Sequence, residues 1–250
     1  MFKDLFKKKK LPKQVNFPTN YGGRWDQIPL GQGLDELITW DTTQDSSLMI
    51  FGPGGSGKSN MMKSIIYYAQ KGFDIHVIDL LEVEALNYVR IAETYTSPED
   101  MNACIRNLRN TKFEKPQLLV CNDLISIISK WKSGKIDDLR EDFLWLFENG
   151  RKNNVFVMTS SNLTPWAFKY DSITWPEEWY VFFNALVKCS LVTGLSISNR
   201  SDTEELFHVS DLYSEHDNQN TGIKGRGYIK VDNRIKAYQS FYIERGTVSL

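Results

Sequence analysis

Gly52-Pro53-Gly54-Gly55-Ser56-Gly57-Lys58-Ser59 decides how this chain is read, because its spacing is that of a phosphate-binding loop. The run before it, Leu48-Met49-Ile50-Phe51, is apolar, and the stretch behind it, Asn60-Met61-Met62-Lys63-Ser64-Ile65-Ile66-Tyr67-Tyr68-Ala69, suits a helix. Strand, loop, helix is the order the motif requires. Its glycines let successive backbone N–H groups turn inward around phosphate oxygens, and the helix behind adds the positive end of its dipole. The expected nucleotide-binding residues are Gly52, Pro53, Gly54, Gly55, Ser56, Gly57, Lys58, Ser59 and Asn60. Lys58 is expected to reach the β- and γ-phosphates, and the Ser59 hydroxyl to hold Mg2+. ATP and Mg2+ are therefore the expected cofactors. A merely flexible glycine turn would need neither the lysine nor the preceding strand.

Outward from that loop, 250 residues with 41% hydrophobic content suffice for one large α/β domain, placed at residues 26–250. Residues 1–25 read as a basic, irregular arm, because Pro12, Pro18, Gly22 and Gly23 break any periodicity. The arm begins Met1-Phe2-Lys3-Asp4-Leu5-Phe6-Lys7-Lys8-Lys9-Lys10 and lacks the apolar core of a secretory signal. It suits an anionic membrane, nucleic acid or plain solvent, and a solvated tail is the preferred reading. Lys and Arg (30) nearly balance Asp and Glu (31), which excludes a globally basic nucleic-acid coat but not local patches. Cys104, Cys121 and Cys189 sit far apart among apolar neighbours and read as buried thiols. His76, His208 and His216 have no metal-ligand spacing. With no run of eighteen apolar residues, the expected location is the cytoplasm, with membrane association only through other subunits.

Ile75-His76-Val77-Ile78-Asp79-Leu80, Gln117-Leu118-Leu119-Val120-Cys121 and Asn154-Val155-Phe156-Val157-Met158-Thr159 read as buried strands. Leu186 to Leu195 and Ile223 to Ile243 read as further strands, the latter a hairpin turning near Val231-Asp232-Asn233. Ser97 caps a helix that opens with Pro98 and runs to about Arg109, and Asp137 to Asn149 is amphipathic. Alternating strands and helices imply a mostly parallel sheet with helices on both faces.

A phosphate loop needs a partner acid at the end of a second strand. Asp79 and Asp123 both end strands. Where hydrolytic motors commonly carry Asp-Glu, this chain carries Asn122-Asp123. If Asn122 takes the metal position, the site has lost a charge; if Asp123 takes it, with Ser59, the usual general base is missing. Asn122 and Asp123 are the candidate catalytic pair. Thr159-Ser160-Ser161-Asn162 ends a third strand, and Ser160 is a candidate γ-phosphate sensor; a helix cap before Thr164-Pro165 is the alternative.

Three more segments complete a pattern: Pro29-Leu30-Gly31-Gln32-Gly33-Leu34-Asp35 ahead of the loop, Phe73 to Leu80 after it, and Gly150-Arg151-Lys152-Asn153-Asn154-Val155 before the third strand. With Gly225-Arg226-Gly227-Tyr228-Ile229-Lys230 and Ala237-Tyr238-Gln239-Ser240-Phe241, the order from Ile28 to Glu244 resembles the FtsK/SpoIIIE branch of P-loop ATPases. It is most similar to the ATPase modules of EssC/EccC-type proteins of type VII secretion. The resemblance implies a RecA-like core, hexamers or stacked modules, and ATP held between neighbours with an arginine supplied in trans. Arg151 and Arg200 are the candidates for that arginine. It also implies that Asp79 is not the metal acid. Two departures stand out: Ser160 replaces the usual sensor glutamine, and Asn122-Asp123 replaces Asp-Glu.

Three functions follow as expectations. The first is a motor coupling ATP to movement of a polymer, with a secreted protein slightly favoured over DNA of plasmid, phage or chromosome transfer, since no loop beyond the arm carries a basic run. The second is a nucleotide-gated docking module with little hydrolysis, whose groove is lined by Trp166, Phe168, Tyr170, Trp175, Trp179, Tyr180, Phe182 and Phe183 unless these residues form core. The third, a small-molecule kinase, lacks an arginine-rich lid.

Overall fold

The computed structural model describes residues 10–18, 20–82, 90–170, 175–197, 204, 206–207, 223–231 and 234–243, Trp166 by its backbone alone. The phosphate-loop strand, β4 (Ser47–Phe51), is buried along its whole length, as are β7 (Gln117–Cys121), β8 (Val155–Ser161) and β9 (Leu191–Leu195). Continuous apolar runs of this kind suit strands covered on both faces. With β5 (Asp74–Ile78) and β6 (Glu93–Tyr95) they form a parallel block in the order β9-β4-β8-β7-β5-β6. An antiparallel wing continues from β9 through β10 (Arg226–Val231), β11 (Arg234–Tyr242), β2 (Gln27–Gly33) and β3 (Leu37–Asp41). The mostly parallel sheet and the closing hairpin are as expected; β10 and β11 pair Val231 with Arg234, and the turn residues Asp232 and Asn233 lie outside the described residues.

Helix α1 (Lys58–Ala69) covers one face, burying Met61, Met62, Ile65, Ile66 and Tyr68 against Leu48, Ile50, Leu118 and Val120. On the other face lie α2 (Pro98–Asn110), α3 (Leu124–Lys132), α4 (Arg140–Asn149), α5 (Pro165–Tyr170) and α6 (Glu177–Lys188). Ser97 caps α2, its hydroxyl accepting from the Asp100 amide at 3.1 Å. The amphipathic stretch expected from Asp137 becomes helical only at Arg140, whose amide is held by Asp138 Oδ1 at 3.0 Å.

One expected strand is corrected. Leu186 to Lys188 finish α6, and only Leu191–Leu195 is strand. Trp179, Phe182, Phe183, Leu186 and Val187 make a helical stripe, and a short apolar run read alone does not distinguish its last turn from a strand. The aromatic stretch is core rather than groove: Phe168 stacks on Trp175 and on Phe183, each at 4.6 Å, and Phe51 meets Phe183 edge-on. Tyr170 alone of the described aromatics in this group is well exposed. Within the arm, β1 (Val15–Asn16) pairs in parallel with β11, and Leu11 and Phe17 are buried.

Candidate functional site

The parallel block brings the ends of β4, β8, β7 and β5 into a row. Strand β8 lies between the phosphate-loop strand and β7, so the acid of β7 faces the loop across one strand rather than beside it. The loop leaves β4 with the Gly52 amide bound to the Ser161 carbonyl at 3.2 Å. Gly57, the residue before α1, has φ 106°, a conformation that side chains other than glycine resist. Glycine there lets the first turn of α1 present free N–H groups to the loop's interior.

Lys58 bends back along the loop, donating from Nζ to the Gly52 carbonyl at 2.6 Å and the Pro53 carbonyl at 3.1 Å. Burial pulls its pKa below the ordinary lysine value, and the charge of Asp123 works against that fall. The two expected partners, lysine and acid, therefore share one electrostatic environment. Ser56 Oγ, packed against Gly52, is buried without a hydrogen-bond partner.

Asp123 begins α3 with φ 63°, a left-handed conformation that aspartate tolerates better than most residues. That turn re-aims its side chain away from the path of β7. Its backbone amide donates to Ser160 Oγ at 3.2 Å, tying the ends of β7 and β8 together. Burial raises the Asp123 pKa; the amides of Ile125 and Ser126 and the charge of Lys58 oppose the rise, and Asp79 adds to it. Its Oδ1 is buried and has no hydrogen-bond partner. A buried carboxylate oxygen left without a donor is costly, and a bound cation is one way to satisfy it. This donor set fits Mg2+, with Asp123 and Ser59 as the residues that would hold it. The residue after Asp123 is the buried apolar Leu124, so the acid that usually follows is missing.

Asn122 faces elsewhere. Its Nδ2 donates to Asp79 Oδ1 at 3.3 Å, and its amide donates to the Ile78 carbonyl. Asp79 is fully buried at the end of β5. The carboxamide thus serves a buried carboxylate, a role that sequence reading missed because strand order, not spacing, makes these two residues neighbours.

Two expected site residues are engaged in other ways. Asn60 donates from Nδ2 to the Phe241 carbonyl at 2.8 Å and accepts from the Ile243 amide at 3.3 Å, which commits its side chain to the end of β11 and the residue after it. Arg151 is exposed in a short 3-10 turn, Gly150–Asn153, at the opposite end of β8. Seven residues of strand, roughly 23 Å, separate it from the phosphate loop of its own chain. Arg200 lies outside the described residues. Sequence reading also missed that Gly225 lies on the loop, its amide donating to the Ser56 carbonyl at 2.7 Å.

Among the described residues no helix is long and apolar enough to cross a membrane. The chain matches no protein-family model and no curated protein. Among solved structures it is similar to the pCW3 conjugation coupling protein TcpA in its monomer form with ATPγS, at 17% identity and a TM-score of 0.70 over 94% of this chain and 72% of that one. It is similar to Thermomonospora curvata EccC (ATPases 2 and 3) in complex with a signal sequence peptide, at 15% identity and TM-score 0.65, over 94% of this chain and 44% of that one. EssC (ATPases 2 and 3) from Geobacillus thermodenitrificans gives 14% identity and TM-score 0.66, over 94% of this chain and 46% of that one. The chain thus spans about three quarters of the coupling protein and under half of the secretion ATPases. The chain shares the α/β fold of these ATPase domains.

Proposed function

We propose that the chain binds ATP and Mg2+ through Gly52–Ser59 and Asp123, as a motor module coupling the nucleotide cycle to movement of a polymer. The observation that carries this reading is Asp123 Oδ1, buried, unpartnered and electrostatically coupled to Lys58 across the row of strand ends. The loop backbone and Lys58 would take the phosphates, Ser59 and Asp123 the metal, and Ser160 would report the γ-phosphate through the Asp123 amide. Mg2+ supplies charge neutralisation on the phosphates. With Leu124 where a general base would stand, Asp123 is the candidate left to activate water, and slow turnover is the expectation. The polymer is a secreted protein in the first reading, because no basic run lines any described loop. DNA is the alternative. Assembly into a hexamer, or stacking with related modules, supplies the trans arginine, with Arg151 as candidate. Docking on a membrane complex built by other chains fits the basic arm.

Mg2+-dependent ATP hydrolysis, followed against protein concentration with Lys58→Ala as blank, tests the motor. The expected result is slow turnover that rises with concentration and does not respond to double-stranded DNA. Stimulation by DNA would replace the secretion reading with a DNA motor. A second reading, a nucleotide-gated docking module, is favoured by Asn122-Asp123, and ATP binding with no turnover at any concentration would select it.

A further inference from the structure

The turn Lys224-Gly225-Arg226 lies between the phosphate loop and the first described residues. On one side, the Gly225 amide donates to the Ser56 carbonyl at 2.7 Å, and a Cβ on Gly57 would meet the Gly225 nitrogen at 3.0 Å. Gly225 itself has φ 76°, and a Cβ there would meet Ser240 Oγ at 2.4 Å, so any other residue is strained in this turn. On the other side, Arg226 is buried at 3% exposure. Its Nη2 donates to the Pro12 carbonyl at 2.5 Å and the Leu11 carbonyl at 3.3 Å, and its Nε donates to Gln239 Oε1 at 3.0 Å. Gln239 closes the turn from behind, donating from Nε2 to the Lys224 carbonyl at 2.8 Å.

A second path runs in parallel. Asn60, at the start of α1, holds the backbone of Phe241 and Ile243. Phe241 and Tyr242 pair with Val15 and Asn16, and the Phe17 amide donates to the Tyr242 carbonyl at 3.0 Å. Ser56 within the phosphate-loop motif and Asn60 immediately after it thus reach residues 11–17 through two short, hydrogen-bonded paths. A buried guanidinium is expensive to desolvate, and its donation to the Leu11 and Pro12 carbonyls ties this segment to the turn by more than apolar contact.

We propose that residues 11–17 form a strap whose seating is coupled to phosphate binding in the loop, with Arg226 as the positioning residue that carries the coupling. The inference rests on the nucleotide-binding reading. Phosphate fixes the loop, the loop fixes Gly225, and Arg226 fixes the strap. By reciprocity, a partner that holds the strap in its seat tightens nucleotide binding, and one that lifts it by the adjoining basic residues weakens it by the same factor.

Hydrogen exchange of the full chain with and without saturating ATPγS·Mg2+ tests this. Slower exchange at Gly52–Ser59 and, by at least about tenfold, at residues 11–17 is the expected result; complete coupling at a hundredfold excess over Kd would give about 100-fold. Protection confined to Gly52–Ser59 overturns the strap while nucleotide binding stands. No protection at Gly52–Ser59 overturns both. Arg226→Met, at saturating ATPγS, is expected to keep protection at Gly52–Ser59 and lose most of the nucleotide-dependent part at residues 11–17, the Asn60 path holding the remainder. Should that variant melt below the assay temperature, Gln239→Ala loosens the same turn and carries the same expectation. Retention of the long-range protection in a folded variant of either kind overturns the role given to Arg226.

Discussion

At the scale of single residues, the site is a set of polar groups held at a cost to folding. Asp123 shows this most directly. Its pKa is raised in the folded chain, so the folded state binds the proton more tightly than the unfolded one. Stability without nucleotide therefore falls as pH rises from the ordinary carboxylate range through the raised value, then levels off. Asp123→Asn is expected to remove that fall, raise the melting temperature of nucleotide-free protein at neutral pH, and abolish the Mg2+ dependence of ATP binding. Thermal melts across pH and titrations with and without Mg2+ measure all three. Lys58→Ala removes a charge-assisted contact of about 1.5–3 kcal/mol, and a fluorescent-nucleotide titration is expected to show affinity at least about tenfold weaker. Asn122→Asp is the informative negative. It would recover the usual acid at that position in name, but it sets a carboxylate against the buried Asp79 and deletes a donor. A loss near 1 kcal/mol lowers the melting temperature by about 2–4 °C in a domain this size, and phosphate release should not rise. A gain in turnover in that variant would show that Asn122, not Asp123, stands at the metal.

Elements carry the site by being stiff. Strand β4 is flanked on both sides, by β8 and β9, and α6 presses on it from one face through Phe183 against Phe51. Phe183 also stacks on Phe168, in parallel planes 2° apart, so one side chain joins α6, α5 and the phosphate-loop strand. Phe183→Ala is expected to cost about 3–5 kcal/mol in denaturant unfolding, since a ring lost from a close-packed core leaves a cavity. A loss under about 1 kcal/mol would mean that α6 closes over the gap and does not brace β4. The helices themselves follow local rules. Ser97 and Pro98 start α2, and Glu177 and Glu178 in the first turn of α6, with Lys188 in its last, complement the helix dipole.

The whole molecule is one sheet with the candidate chemistry at the carboxyl ends of its parallel strands, where open α/β sheets collect their ligands. Arg151 stands at the other end of β8, so the trans role proposed for it would require a neighbouring copy. Arg151→Ala is accordingly expected to leave ATP affinity unchanged within about twofold and to flatten the rise of turnover with protein concentration, since an arginine supplied in trans acts on the transferring phosphoryl group; lost affinity in dilute protein would contradict a trans role. The amino-acid sequence by itself determined the phosphate loop, because glycine spacing and the lysine act within eight consecutive residues. It determined most of the buried strands as well, since apolar runs bounded by turns are a local signal, though Leu186–Lys188 proved to be the end of α6, and it marked Asp123 as a strand-end acid. Tertiary structure alone decided which strand ends meet. Strand order put Asn122 on Asp79, burial turned the aromatic stretch into core, and the close of the sheet laid Gly225 on Ser56 and Arg226 on Leu11 and Pro12. Those contacts join residues up to 215 positions apart, and separation of that size leaves no periodicity for a local reading to find.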